Sequence, residues 1–463
     1  MSAPTSPQEV VDVVVLGGGS GGYACALRAA QLGRSVVLVE KDKLGGTCLH
    51  RGCIPTKALL HAAEVADTVR HSARYGVKAE LDGVDLPAVH TYKDGVISRL
   101  YKGLQGLVKA AEIDVVAGEG RLVAERTVEV NGRRVVGRSV VLATGSMAKT
   151  VPGIPMGGRV ITSDQALQLQ ELPQRVVVLG GGVIGVEFAS VFCSLGAQVT
   201  VVEALPRLVA AEDEAISAQL ERAFRRRKIT VRTGTSVESV TQDDDEVQVQ
   251  LAGGDSVSAD VLLVAVGRGP VTEGMGYAEA GIAMDRGYVV TDEWCRTSVT
   301  GVYAVGDIVP GLQLAHRGFA QGILVAEHLA GLEPTPIVES GIPRVTYCDP
   351  EIASVGLTFA RAQEKYGEKA VTSYEYNLGG NGKSQILGTS GLVKVVRQVD
   401  GPVLGVHMIG ARMGEQVGEA TLIVGWEAHP EEVAAFLHAH PTQNEALGEA
   451  HMALAGAPLH AHE

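Results

Sequence analysis

Long hydrophobic runs, an excess of basic charge and a dense cysteine framework are all missing from this 463-residue chain. No uninterrupted apolar segment reaches the roughly 20 residues that a membrane-spanning helix needs, so no membrane partner is expected. Lys and Arg total 40 against 53 Asp and Glu, a net charge of −13. That balance repels a phosphate backbone, and nucleic acid is not an expected partner. Residues 1–11 carry no Lys or Arg and no apolar core, so neither a secretory signal nor an Arg-rich transit peptide is read there. Six cysteines scattered over this length fit cytoplasmic usage, where a persistent disulfide is normally a redox-active one. The 46% hydrophobic and 20% charged content is that of an ordinary soluble globular protein, long enough for roughly three domains.

What is present is a repeat. Residues 13–40 read VVVLGGGSGGYACALRAAQLGRSVVLVE, and residues 176–203 read VVVLGGGVIGVEFASVFCSLGAQVTVVE. Each is an apolar strand, a glycine turn, an Ala-rich or apolar helix and a second strand ending in an acid, which is the dinucleotide-binding pattern. The first glycine (Gly17, Gly180) permits the tight turn, and the second (Gly19, Gly182) lets backbone approach a pyrophosphate at the helix N-terminus. The third (Gly22, Gly185) lets helix and strand pack closely. Glu40 and Glu203 lie about 20 residues further on, where a carboxylate accepts ribose hydroxyls. At Glu203 that favours the free 2′-hydroxyl of NAD over the 2′-phosphate of NADP. Arg207 is nearby and reads as a solvated surface arginine.

The first copy runs into GGTCLHRGCIPTK, residues 45–57. Cys48 and Cys53 enclose a loop too short to constrain much unfolded chain, so a bond between them makes better sense as catalytic than as structural. Pro55 suits a first helical turn, and the positive helix end together with Lys57 is expected to favour thiolate. Two structural cysteines on a core helix is the competing reading. The second copy has no nucleophile after it, so a flavin is assigned to the first and a nicotinamide nucleotide to the second.

VVLATG (residues 140–145) and VYAVGD (residues 302–307) are further apolar strands entering glycine turns, where doubly wound sheets bind ligands. Asp307 is placed to hold a ribityl chain or to cap a helix starting near Leu314. Residues 261–267 supply a matching strand to the second copy. Beyond residue 344 the pattern changes to alternating strands and short helices, an α+β region ending in HAHPTQNE. There Thr442 and Glu445 have capping-box spacing, His438 and His440 are open to reading as a metal pair or as mere surface residues, and His440 with Glu445 has the pattern of a base oriented by a carboxylate.

Taken together, CLHRGCIPTK, the duplicated glycine turns, ATG, the GD strand end and HAHPTQNE resemble the dihydrolipoamide-oxidising flavoproteins of the pyridine nucleotide-disulfide oxidoreductase family, over almost the whole chain. The resemblance implies an α/β fold with two Rossmann-like domains and a C-terminal α+β dimerisation domain. Its boundaries are 1–150 for FAD, 151–275 for NAD, 276–343 for a central domain and 344–463 for the interface. By that likeness Cys48 exchanges with substrate, Cys53 is the thiolate facing FAD, and His440 with Glu445 is the acid–base pair of the other subunit in a homodimer. Lys57 and Glu187 would pair beside the flavin, unless they are unrelated helix residues. Lys41, Gly46, Thr47, Gly118, Ala143, Thr144, Gly145, Asp307 and Ala315 complete the implied FAD set, and Ile184, Glu187 and Gly267 the NAD set. No metal is implied. The lipoyl group would arrive on an acyltransferase or carrier protein of a 2-oxoacid dehydrogenase or glycine cleavage complex, because no lipoyl domain precedes the first strand. His50 stands where relatives usually carry Asn, and VGRGP lacks the Asn that commonly follows its proline. A reductase of a small disulfide, which would normally prefer NADPH read by arginines, and a non-catalytic flavin-binding protein are the alternatives.

Overall fold

The computed structural model describes residues 10–460. It groups into two compact units, residues 10–58, 88–149 and 268–339 in one and residues 59–87, 150–267 and 340–460 in the other. The division falls inside the helix Cys53–Arg70.

In the first unit a seven-stranded sheet runs Asp114–Ala117, Val36–Glu40, Val10–Leu16, Arg133–Leu142, Thr127–Val130, Gly120–Ala124, with Val302–Ala304 also paired to Arg133–Leu142. The strands from Asp114–Ala117 to Arg133–Leu142 are parallel, and the last two pair antiparallel. Val13, Val14 and Val15 are at most 1% exposed. Sheet burial on both faces explains why the strand reads as an unbroken apolar run, and each such valine contributes about 1.5–3 kcal/mol. Helices Ser20–Gln31 and Ala315–Leu329 cross backbone to backbone, since a Cβ on Gly322 would stand 2.2 Å from the Gly21 carbonyl oxygen. That close crossing brings two glycine-bearing helices onto one face of the sheet.

The second unit carries a parallel five-stranded sheet in the order Thr230–Arg232, Gln198–Val202, Arg175–Leu179, Val261–Val264, Val160–Thr162. A three-stranded antiparallel sheet spans residues 237–259. A five-stranded antiparallel sheet follows, in the order Arg344–Thr346, Glu351–Gly356, Val403–Gly410, Leu392–Gln398, Val371–Asn377. Helices Val417–Gly425 and Glu445–Leu454 pack on it through Val417, Ala420, Ile423, Ala446, Leu447 and Ala450. The edge strand Val371–Asn377 is absent from the sequence-based reading. Its VTSYEYN alternation is weak, and its inner face is set by pairing with Leu392–Gln398.

Candidate active site

The two glycine turns superimpose in their logic. Gly17 has φ 105° and Gly180 φ 110°, and a Cβ there would lie 2.3 Å from the Ala143 oxygen or 2.5 Å from the Ala265 oxygen. At Gly22 and Gly185 a Cβ would come within 1.8 Å of the Gly17 and Gly180 oxygens. These four glycines are therefore required by the protein's own packing. Gly19 and Gly182 are not: the first has only the Gly46 Cα at 4.0 Å, the second nothing within 4 Å. A side chain there would fill only the cradle at the starts of Ser20–Gln31 and Val183–Leu195. Neither helix has a side-chain cap, so their first amides are left for a ligand. The cradles fit dinucleotide phosphates.

Both strand-end acids are held in the same way. Glu40 accepts from the amides of Gly18 (2.6 Å) and Asp42 (2.8 Å), and Glu203 from those of Gly181 (2.6 Å) and Leu205 (2.7 Å). One lone pair on each oxygen stays available for a hydroxyl. Arg207 departs from expectation. It is half-buried rather than solvated, because its loop folds back over the second turn, where the Val209 amide donates to the Gly181 oxygen, and its Nη2 donates to the Ala210 oxygen at 2.8 Å.

Around the first cradle, Gly46 (φ 55°) packs so closely on Gly19 that a Cβ would stand 2.7 Å from its Cα, which seats the cysteine segment against the glycine turn. The Gly118 amide donates to the Glu40 main-chain oxygen, and Lys41 reaches Glu119 at 3.4 Å on the surface. Ala143, Thr144 and Gly145 follow strand Arg133–Leu142, with Thr144 Oγ1 donating to the Val271 oxygen. Asp307 lies in a single 3-10 turn and accepts from Ser146 Oγ. It caps nothing: the helix Ala315–Leu329 starts at Leu314 without a side-chain cap. Sequence reasoning missed Arg268. Its Nε donates to Ser146 Oγ (2.8 Å) and its Nη2 to the Ser146 oxygen (2.7 Å) and Thr47 Oγ1 (3.4 Å), linking Asp307 to the residue before Cys48. The signal was the arginine of VGRGP, a cation in a strand-end turn. In the second unit Ile184 and Glu187 lie on the helix Val183–Leu195. Buried Glu187 accepts from the Tyr347 amide, and Gly267 (φ 104°) follows strand Val261–Val264 in open space.

The cysteines occupy two helices rather than one. Cys48 is in Gly46–Arg51, Gly52 breaks the run, and Cys53 opens Cys53–Arg70, with Lys57 one turn along. The thiolate expected from the resemblance is that of Cys53, and Cys48 is its hydrogen-bond partner. The Cys48 thiol is pushed well above the ordinary range by its hydrogen bond with Cys53, then by burial and by charge on Cys53, while Lys57 and Ser20 oppose this without reversing it. His50, between them, has its Nε2 2.9 Å from the Leu44 oxygen and packs edge-on against Tyr101 at 5.0 Å.

At the C-terminal end, His440 Nδ1 lies 2.8 Å from Glu445 Oε1, and Glu445 Oε2 accepts from the Thr442 amide at 2.8 Å. Burial pushes Glu445 up, but the Thr442 amide and the His440 ring outweigh it, so the carboxylate titrates below its ordinary value. Only half of the expected capping box is seen: Glu445 accepts from the Thr442 amide, while Thr442 Oγ1 donates to the Ala439 oxygen rather than accepting from a helix amide. The histidines do not converge as a metal pair: His438 turns to Glu419 and His440 to Glu445.

Residues 11–322 match the pyridine nucleotide-disulphide oxidoreductase family, and residues 342–451 match that family's dimerisation domain. The chain belongs to this family. Similar proteins include a dihydrolipoyl dehydrogenase of Bacillus subtilis, 40% identical over 97% of this chain and 99% of that one. The mitochondrial dihydrolipoyl dehydrogenase of Pisum sativum is 37% identical over 97% and 92%, and a leghemoglobin reductase of Glycine max 37% over 97% and 88%. Among solved structures, LpdA from Mycobacterium tuberculosis is 26% identical with a TM-score of 0.89, covering 96% of this chain and 100% of that one. The HOCl-induced flavoprotein disulfide reductase RclA from Escherichia coli is 26% identical with a TM-score of 0.84 over 95% and 99%. The chain is an oxidoreductase of the α/β fold expected from its sequence, it uses FAD and NAD(H), and it carries a dimerisation domain. No described helix is long and apolar enough to cross a membrane.

Proposed function

We propose that this chain oxidises the dihydrolipoamide group of a protein partner and reduces NAD⁺, each turnover converting two substrate thiols to a disulfide and yielding NADH and one proton. The observation that carries the reading is the seating of two hydrogen-bonded cysteines, Cys48 and Cys53, against the first glycine cradle by the packing of Gly46 on Gly19. In the oxidised enzyme the two share a disulfide. His440, oriented by Glu445, takes a proton from one substrate thiol, and the thiolate attacks Cys48 while Cys53 leaves as thiolate. The second substrate thiol then attacks the substrate sulfur bonded to Cys48, closing lipoamide, and its proton ends on Cys48 as Cys48 leaves. A raised Cys48 thiol favours that end state, with the charge on Cys53. FAD, when bound at Gly17, Gly19, Gly22, Glu40, Thr144 and Asp307, supplies the two-electron chemistry between the thiols and NAD⁺. Gly180, Gly182, Gly185 and Glu203 hold the NAD.

The assembly is a homodimer in which His440 serves the partner's cysteines, and the four domains run 1–150, 151–275, 276–343 and 344–463. The substrate partner is a lipoyl-bearing acyltransferase or carrier protein of a 2-oxoacid dehydrogenase or glycine cleavage complex, met in the cytoplasm. Purified holoenzyme assayed with dihydrolipoamide and NAD⁺, against glutathione disulfide and NADPH, tests this. The first pair is expected to turn over at least a hundredfold faster, and the reverse ranking would refute the reading. Glu203→Ala should narrow the preference for NAD⁺ over NADP⁺.

A further inference from the structure

Two residues before His440 lies a second histidine–carboxylate pair that the reaction as written does not use. His438 Nε2 is 3.0 Å from Glu419 Oε1, on the helix Val417–Gly425, and its side chain is only 11% exposed. The other oxygen of Glu419 accepts from Asn444 Nδ2, and Asn444 is the residue from which the helix Glu445–Leu454 starts. One turn along that helix, Gly448 makes room for the imidazole: a Cβ there would lie 2.6 Å from His438 Nδ1. The segment leading into the helix Glu445–Leu454 is thus held from two sides, by His438, Glu419 and Asn444 on one and by His440, Glu445 and the Thr442 amide on the other.

We propose that His438, seated between Glu419 and Gly448, is a positioning residue for His440, fixing the turn before Pro441 and holding an imidazole near Glu445. The proposal rests on the reading of His440 as the base. The groups facing His438 are Glu419 from one helix, Glu445 and buried His451 from the other, and the Phe436 main chain from its own segment. The bond to Glu419 raises His438 above the ordinary histidine range, burial opposes this, and Glu445 adds to the rise. Glu445 therefore acts electrostatically on both imidazoles. While His438 carries its proton, part of the negative charge of Glu419 and Glu445 is neutralised before it reaches His440. Without it, that charge stabilises protonated His440, and a base that must be unprotonated to act becomes available only at higher pH.

The test compares His438→Ala, Gly448→Ala and His440→Gln with the unmodified holoenzyme. Gly448→Ala keeps the imidazole but drives it off Glu419, and alanine is the better helix former, so it should fold. Both His438→Ala and Gly448→Ala are expected to lower kcat for dihydrolipoamide by about tenfold with little change in KM. Both should also move the acid limb of the kcat/KM profile to higher pH. NADH oxidation by an artificial acceptor, which needs no thiol base, should be unchanged. An unshifted acid limb in both variants, or an equal loss in the artificial-acceptor reaction, overturns the role of His438. Full activity in His440→Gln overturns the underlying reading of the base instead, and so separates the two failures.

Discussion

The cysteine pair and the His440–Glu445 pair both sit where helices begin, but their surroundings differ. Cys48 and Cys53 are partly buried hydrogen-bond partners whose protonation is settled within the pair. His440 has its orienting carboxylate in place, yet its side chain is 77% exposed. A general base works best shielded from water, against the group it deprotonates. The cysteine pair is thus enclosed within one stretch of the first unit, whereas His440 is exposed on a dimerisation domain, so the proposed role as base calls for another chain to cover it.

This contrast can be broken by substitution, and the largest effect is expected at the cysteines. Cys53→Ser should cut dihydrolipoamide oxidation by roughly 10⁴-fold or more, because no disulfide can form. It should also remove the long-wavelength absorption that a thiolate beside oxidised flavin gives on partial anaerobic reduction. Survival of that band would reassign the charged sulfur. At the other pair, His440→Gln should lower kcat by about 10²–10³-fold, and Glu445→Gln, which only loosens the ring's orientation, by about tenfold. Stopped-flow traces with an artificial acceptor should be normal for both, and a matching loss there would mean damage to the fold.

A smaller effect concerns stability. Burial pushes His451, on the same helix as Glu445, down to about 4. Its folded-state value lies below its unfolded one, so on acidification the unfolded chain takes up the proton first. Stability is therefore complete above about pH 6.5 and falls by up to about 3 kcal/mol as pH drops towards 4. Melting temperatures across that range should fall in the unmodified protein and fall less in His451→Asn.

Some of this was legible in sequence and some was not. The glycine turns could be read because each glycine answers a local constraint: Gly17 needs a positive φ, Gly22 a close packing distance, Gly19 an open face. CLHRGC suggested a redox pair for a similar reason, since short loops rarely join cysteines for stability, and the structure places both cysteines beside the first cradle. The sign of the shift at Cys48 was not legible, because it depends on burial and on the bond to Cys53. Arg207 was misjudged on the same ground and the partner of His438 was not foreseen: loop folding half-buries the first, and Glu419, 19 residues away, engages the second. Periodicity carries no information about such long-range partners. The assignment of residues 59–87 to the second unit is of that kind as well, being set by links such as Asp67 with Ser194 and Arg227.

The central claim is that the two pairs meet only between subunits, and complementation measures it directly. Cys48→Ser and His440→Gln homodimers should each be nearly inactive with dihydrolipoamide. In a mixed dimer one of the two sites unites the cysteines of the second variant with the base of the first. Random 1:1 remixing makes half the dimers mixed, so about a quarter of unmodified activity should return if the sites are independent. No recovery after verified subunit exchange would place His440 with its own chain's cysteines, or outside the reaction, and would contradict the account.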